Sequence, residues 1–179
     1  MAEKLGDSTA RDEGRITLNP IPHIDPFGSI ALPLLLLAVG SPIVFGAARP
    51  VPVNFGNLRN PKSGMALVSL AGPVSNFLLA ILFVIPIKLG IASFVAHPIL
   101  IQAILINLVL GTFNLIPIPP MDGSKILASL GSDEWMYKIL SYERYGFMLV
   151  LIFLMMGILD RILLPVIAVF GRIFGIPFF

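Results

Sequence analysis

Apolar positions in this chain gather into four long blocks, and polar or proline-rich stretches separate them. Crossing the hydrocarbon core of a bilayer takes about 20 mostly apolar residues, roughly 17 to 25. Gly64–Leu89 and Ile99–Ile116 meet that length, the first with a single charge, Lys88, at its far end and the second with none. Gly28–Phe45 is long enough, but Pro33 and the Gly40-Ser41-Pro42 break argue against one straight helix. A re-entrant or partly extended piece is the alternative there, tolerated where other protein covers its backbone. Phe147–Leu159 is short alone, and the pattern resumes after Asp160-Arg161 to reach Phe170. One long tilted helix over 147–170, or a helix followed by an interfacial one, both fit. The expectation is an all-α membrane protein: a polar segment 1–27, a membrane domain 28–170 and a short tail 171–179.

Composition agrees with this pattern. Charged residues are 12% of the chain and hydrophobic residues 56%, whereas a soluble domain carries about 25% charged residues. A net charge of +2, thinly scattered, gives no footprint for nucleic acid. The polar opening, with Glu3, Lys4, Asp7, Arg11, Asp12, Glu13 and Arg15, does not read as a signal peptide. No cysteine is present, so disulfides and thiolate metal sites are excluded. Arg49, Arg59 and Lys62 place the 47–62 connection on the cytoplasmic side by the positive-inside tendency, and Gly90–His97 outside.

Two polar features interrupt the apolar blocks. Ala71-Gly72-Pro73-Val74-Ser75-Asn76 lies inside the second block. Small residues there allow close helix packing, and proline frees a carbonyl that a hydroxyl or a neighbour must satisfy. The other reading has Asn76 facing a polar cavity. In the third block Asn107 and Asn114 are seven apart with Gly111 between them, two turns on one face. That polar seam leads to Asn114-Leu115-Ile116-Pro117-Ile118-Pro119-Pro120-Met121-Asp122-Gly123. A carboxylate at a membrane boundary is costly and reads as functional by default. Its plain alternative is turn chemistry, with glycine at positive φ and Asp122 bonding its own backbone. Lys125, three residues on, is a candidate partner.

A metal is the obvious partner for such a carboxylate, but the chain has only two histidines. His23 lies in Leu18-Asn19-Pro20-Ile21-Pro22-His23-Ile24-Asp25-Pro26-Phe27-Gly28, an irregular segment by its prolines. His23 with Asp25 gives two donors, whereas zinc takes three or four from the protein. His23 reads first as a hydrogen-bonding structural histidine and second as a metal ligand. His97 beside Pro98 reads as solvated. Ser75 and Ser124 have no neighbouring histidine in sequence, so a serine nucleophile is unsupported.

Taken in order, Leu18–Gly28, Arg49-Pro50-Val51-Pro52-Val53-Asn54, Ala71–Asn76 and Asn114–Gly123 resemble the motifs of the compact prokaryotic site-2 protease family. These are zinc metalloproteases that cut peptide bonds within or near the membrane. The resemblance implies a site-2 protease-like core, Asp122 as the carboxylate ligand of the zinc, and Asn114, with Asn76, as support for the substrate or its oxyanion. It also implies transmembrane or membrane-proximal peptides as substrates, with lipid around the protein and a cell-membrane location. The family's His-Glu-x-x-His is absent from the chain. That motif sets two imidazoles on one helix face and a glutamate at the bound water. Its expected place is just upstream of Ala2–Asp7, which resembles the tail of the same helix. The expectation is therefore a truncated form, without its general base and with zinc absent or weakly bound. The alternatives are a non-catalytic protein that binds transmembrane segments or partner subunits, and a small transporter.

Overall fold

The computed structural model describes residues 1–38, 46, 48–176 and 178, and among these the chain is helical without strands. It divides into two compact units, Met1–Gly64 and Met65–Phe179.

The first unit is mostly short turns around a buried carboxylate. It contains a single helical turn α1 (Thr9–Asp12), a π-helical turn Pro26–Ala31 and helix α2 (Leu32–Ala38). Pro33 sits at the second position of α2, directly after the π-helical turn. The described half of the 28–45 segment is therefore helical, and its remainder, 39–45, lies outside the described residues. Asp7, 1% exposed, gathers the unit. Its Oδ2 accepts from the Asn54 backbone N–H at 2.9 Å. Its Oδ1 accepts from the Thr9 hydroxyl, the Thr9 N–H and the Asn57 amide. Arg15 donates to the carbonyls of Arg49 and Pro50 at 2.8 and 3.3 Å, and the Arg59 N–H bonds Leu5. The segment around Arg49–Asn54 is thereby stitched along the N-terminal one.

Among the described residues two helices are long and apolar enough to cross a membrane: α3 (Pro61–Lys88) and α4 (Ala96–Asn114). Only 22% of the apolar stretch of each is buried inside the protein. The core helix of a soluble domain would be mostly covered, so these flanks suit lipid, and the chain is a membrane protein. At 1.5 Å per residue α4 measures about 28 Å, close to the roughly 30 Å of hydrocarbon it must span.

After α4 come α5 (Asp122–Ser129), α6 (Asp133–Ser141), α7 (Gly146–Met155) and α8 (Ile158–Phe174). The last apolar block is thus two helices rather than one tilted span. Gly157 breaks it in the left-handed conformation, φ 65°, which glycine adopts without steric cost. Ala80 and Val84 of α3, Ile104 and Leu108 of α4 and Ile167 of α8 form one buried cluster, capped by Ile176. The members on α3 and α4 repeat at four residues, so each helix offers one stripe. The Lys88 ammonium lies 3.0 Å from where a Cβ on Gly175 would stand. The C-terminal ends of α3 and α8 therefore meet, and a cation sits where both helix dipoles favour one.

Candidate functional site

Pro73 lies within α3, and the helix continues through it. Ser75 donates its hydroxyl to the Ala71 carbonyl at 2.6 Å, so a hydroxyl does turn back onto this stretch. α4 closes onto the same place. A Cβ on Gly111 would stand 3.2 Å from the Phe77 ring and 3.3 Å from the Pro73 carbonyl, so only a small residue allows this crossing. The small-residue run is thus a helix contact.

It is also where the carboxylate arrives. Asp122 opens α5, and its Oδ2 lies 3.4 Å from the position a Cβ on Gly72 would take. An acid in a first helical turn is favoured by the helix dipole. Gly123 shows why the chain takes this route. It is helical, not at positive φ, which corrects the turn reading. A Cβ there would stand 2.3 Å from the Leu115 carbonyl oxygen and 2.5 Å from that of Ile116. Glycine is needed for close backbone approach, not for left-handed geometry. Gly146, at the start of α7, packs in the same way on Pro119 and Pro120.

Lys125 lies 3.7 Å from Asp122 Oδ1 and 3.7 Å from Glu143 Oε1. These are ion pairs beyond hydrogen-bond length, and Glu143 Oε1 is sealed from solvent with no hydrogen bond. Burial pushes the Asp122 carboxyl above its ordinary pKa of 3.8; Lys125 offsets part of that, and the Glu143 charge adds to it. Lys125 is visible from its i+3 spacing. Glu143 is not, because its partner is distant in sequence. Gly72 was legible as a packing residue but not as the one facing the carboxylate.

The amides behave differently from a seam aimed at Asp122. Asn107 and Asn114 each turn Nδ2 back to their own helix, onto Ala103 at 2.8 Å and Leu110 at 3.0 Å. Such back-bonding occupies one of the two N–H groups and leaves the other N–H and the carbonyl oxygen for a ligand. Asn76 is half-buried on α3, one turn beyond Gly72. His23 belongs to the first unit, where Nε2 lies 3.2 Å from the Thr17 carbonyl and its own carbonyl accepts from the Arg49 N–H. Asp25 bonds the Gly28 N–H at 2.6 Å, capping the π-helical turn.

Zinc needs three or four donors. Among the described residues no group of three His, Cys, Asp or Glu could hold a metal. The residues outside that description contain none of these four types. The donor set of the chain therefore does not fit a zinc centre by itself.

The Peptidase family M50 model matches residues 87–159, which hold α4, the Asp122 turn and α5 to α7. YwhC of Bacillus subtilis, which carries a provisional zinc-metalloprotease name, is 40% identical over 92% of this chain and 76% of its own length. The chain belongs to this family. Rip2 of Mycolicibacterium smegmatis, also provisionally named a zinc metalloprotease, is 29% identical over 89% of the chain. The zinc metalloprotease MJ0392 of Methanocaldococcus jannaschii is 36% identical over 62% of it. The chain spans 61% of Rip2 and 33% of MJ0392. No solved structure gives a significant match. The resemblance to site-2 proteases read from the motifs is thus shown, and with it the membrane metalloprotease class.

Proposed function

We propose that this chain forms the carboxylate side and the substrate groove of a membrane-embedded zinc metallopeptidase that hydrolyses peptide bonds within or near the membrane. The observation that carries this is the seating of Asp122: a half-buried carboxylate against Gly72 of a membrane-length helix, at the end of a second one. Asp122 is the metal-binding carboxylate in this reading. Zinc held there, with donors from outside this chain, would supply Lewis acidity for hydrolysis. Residues of this chain do the rest. Asn114 and Asn76 offer amide groups to an extended peptide backbone, and the apolar flanks of α3 and α4 accept a transmembrane substrate. The carbonyl-bonded Asn114 is held in place by Leu110, so its free N–H points from a fixed base.

A centre built on Asp122 needs donors beyond those the chain carries. Alone, the chain binds zinc weakly and does not cleave peptides, and His23 serves the fold of the first unit. The donor set also favours a second reading, in which the same groove binds transmembrane segments without cutting them. The positive-inside tendency places Asp122 near the cytoplasmic face of a prokaryotic cell membrane.

Zinc titration of the purified chain, beside the Asp122→Ala variant, tests the metal half. Affinity weaker than about micromolar is expected; tighter binding abolished by Asp122→Ala would refute the incomplete centre. Supplying a His-Glu-x-x-His segment in trans separates the two functions. Zinc-dependent cleavage of a transmembrane peptide supports the peptidase, and peptide binding without cleavage supports the second reading.

A further inference from the structure

The chain has one tryptophan and three tyrosines, and all four fall within 135–145. Trp135, Tyr137, Tyr142 and Tyr145 are each exposed, at 46%, 77%, 48% and 44%. In a soluble protein this would be an unexplained aromatic surface. Beside membrane-length helices, tryptophan and tyrosine gather where their rings meet the headgroups, apolar body inward and polar tip to water. Lys138 and Arg144 in the same stretch are exposed, and the Arg144 guanidinium lies over the Tyr145 ring at 4.7 Å. Such cations suit a headgroup layer and not a dry protein interface.

The depth of this segment follows from helix lengths. Gly72, which Asp122 abuts, is 16 residues from Lys88 along α3, about 24 Å at 1.5 Å per residue. With Lys88 at one edge of a core roughly 30 Å thick, Gly72 lies within a turn or so of the other edge. α4 ends at that same edge with Asn114. The aromatic stretch is tied to it twice. Lys125 links Glu143 to Asp122, and Gly146 packs directly on Pro119 and Pro120.

We propose that residues 135–145 are an interfacial anchor whose aromatic rings sit in the lipid headgroup layer and fix the depth of Asp122 at the membrane edge. The occupant of this surface is the bilayer that α3 and α4 cross, so the proposal rests on reading those helices as spans. Trp135 is positioned from below: a Cβ on Gly131 would stand 2.0 Å from its ring. The ring therefore covers that glycine while its outer edge faces out.

Because Trp135 is the sole tryptophan, its fluorescence in the full chain reports this one place. The chain is reconstituted into phosphatidylcholine vesicles carrying bromine either near the headgroup or near the chain ends. Quenching by the shallow bromines at least about twice that by the deep ones is expected of an interfacial ring. Stronger deep quenching overturns the headgroup placement. So does full quenching by aqueous iodide with none by either lipid, which is the result for a surface that docks protein. Alkaline carbonate extraction separates the failures. A chain that stays in the membrane while Trp135 remains aqueous loses the anchor but keeps its spans, and a chain that is extracted loses both. The depth claim has its own readout, since the chain lacks cysteine and Asp122→Cys is a unique thiol. Adding Trp135→Ala and Tyr142→Ala is expected to change its labelling rate by an impermeant maleimide at least about threefold. An unchanged rate overturns depth-fixing.

Discussion

Replacing Gly123 by alanine tests the path of the backbone into the site. The new methyl would stand 2.3 Å from the Leu115 carbonyl oxygen, 2.5 Å from the Leu115 carbonyl carbon and 2.5 Å from the Ile116 oxygen. All three are backbone atoms, so no side chain can swing away, and α5 must shift by most of an ångström. Overpacking of this kind costs about 1 to 3 kcal/mol, and backbone contacts put it at the upper end. Alanine returns about 1 kcal/mol through better helix propensity. The net loss is about 2 kcal/mol, which for a chain of this size lowers Tm by about 4 to 8 °C. Thermal unfolding in detergent, followed by circular dichroism, measures it. The matched variant Gly72→Ala places its methyl at an ordinary 3.4 Å from Asp122 Oδ2 and is expected to melt no lower than the parent. If Gly123→Ala melts within about 1 °C of the parent, the close approach of α5 to the end of α4 is wrong.

Three further outcomes follow from other contacts. Gly111→Val drives a side chain into Phe77 and the Pro73 carbonyl and is expected to cost about 1 to 3 kcal/mol in the same melt; no loss would mean that α3 and α4 do not cross there. Lys125→Met removes the cation between Asp122 and Glu143; because the groups are partly exposed, a double-mutant cycle with Glu143→Gln should give a coupling of about 1 kcal/mol or less, and zero coupling would dissolve the pair. Asp7 is raised by burial but held, on balance, below its ordinary 3.8 by its bonds from Thr9, Asn54 and Asn57. Its folded pKa is depressed, so its contribution is present above 3.8 and is lost as pH falls through the folded value. Limited proteolysis within 1–64 should accelerate at acid pH, and Asp7→Asn should make cleavage fast already at neutral pH; a variant as resistant as the parent would contradict the hub.

The sequence carried the class and the two long helices because both depend on local composition. Gly64–Leu89 and Ile99–Ile116 emerged within a few residues as Pro61–Lys88 and Ala96–Asn114. The fold of the last block was open, because Gly157 looks like any other glycine until its left-handed φ is seen. Asp122 was legible from its place after an apolar block, but the reason for Gly123 was not. A backbone approach close enough to leave a Cβ at Gly123 only 2.3 Å from a carbonyl oxygen carries no composition signal that separates it from a turn. Glu143 and Asp7 were missed for another reason. Their partners stand 18 and 47 residues away, and such pairings follow only from the fold. The back-bonding of Asn107 and Asn114 to Ala103 and Leu110 is a helix-internal solution that spacing alone does not distinguish from a cavity lining.

Cross-linking between the first long helix and the carboxylate position tests most directly whether the site is assembled as described. The chain has no cysteine, so Gly72→Cys with Asp122→Cys gives one possible disulfide. Asp122 Oδ2, two bonds beyond its Cβ, lies 3.4 Å from the Gly72 Cβ position, so a small backbone adjustment brings the two Cβ atoms to the roughly 3.5 to 4.5 Å that a disulfide spans. Oxidation in native membranes is expected to join this pair, and not Phe94→Cys with Asp122→Cys, whose first member is a fully exposed residue in the connection between α3 and α4. A Gly72–Asp122 pair that stays reduced while the Phe94 pair joins would show that the carboxylate does not rest against the small-residue run, and the site proposed here would not exist.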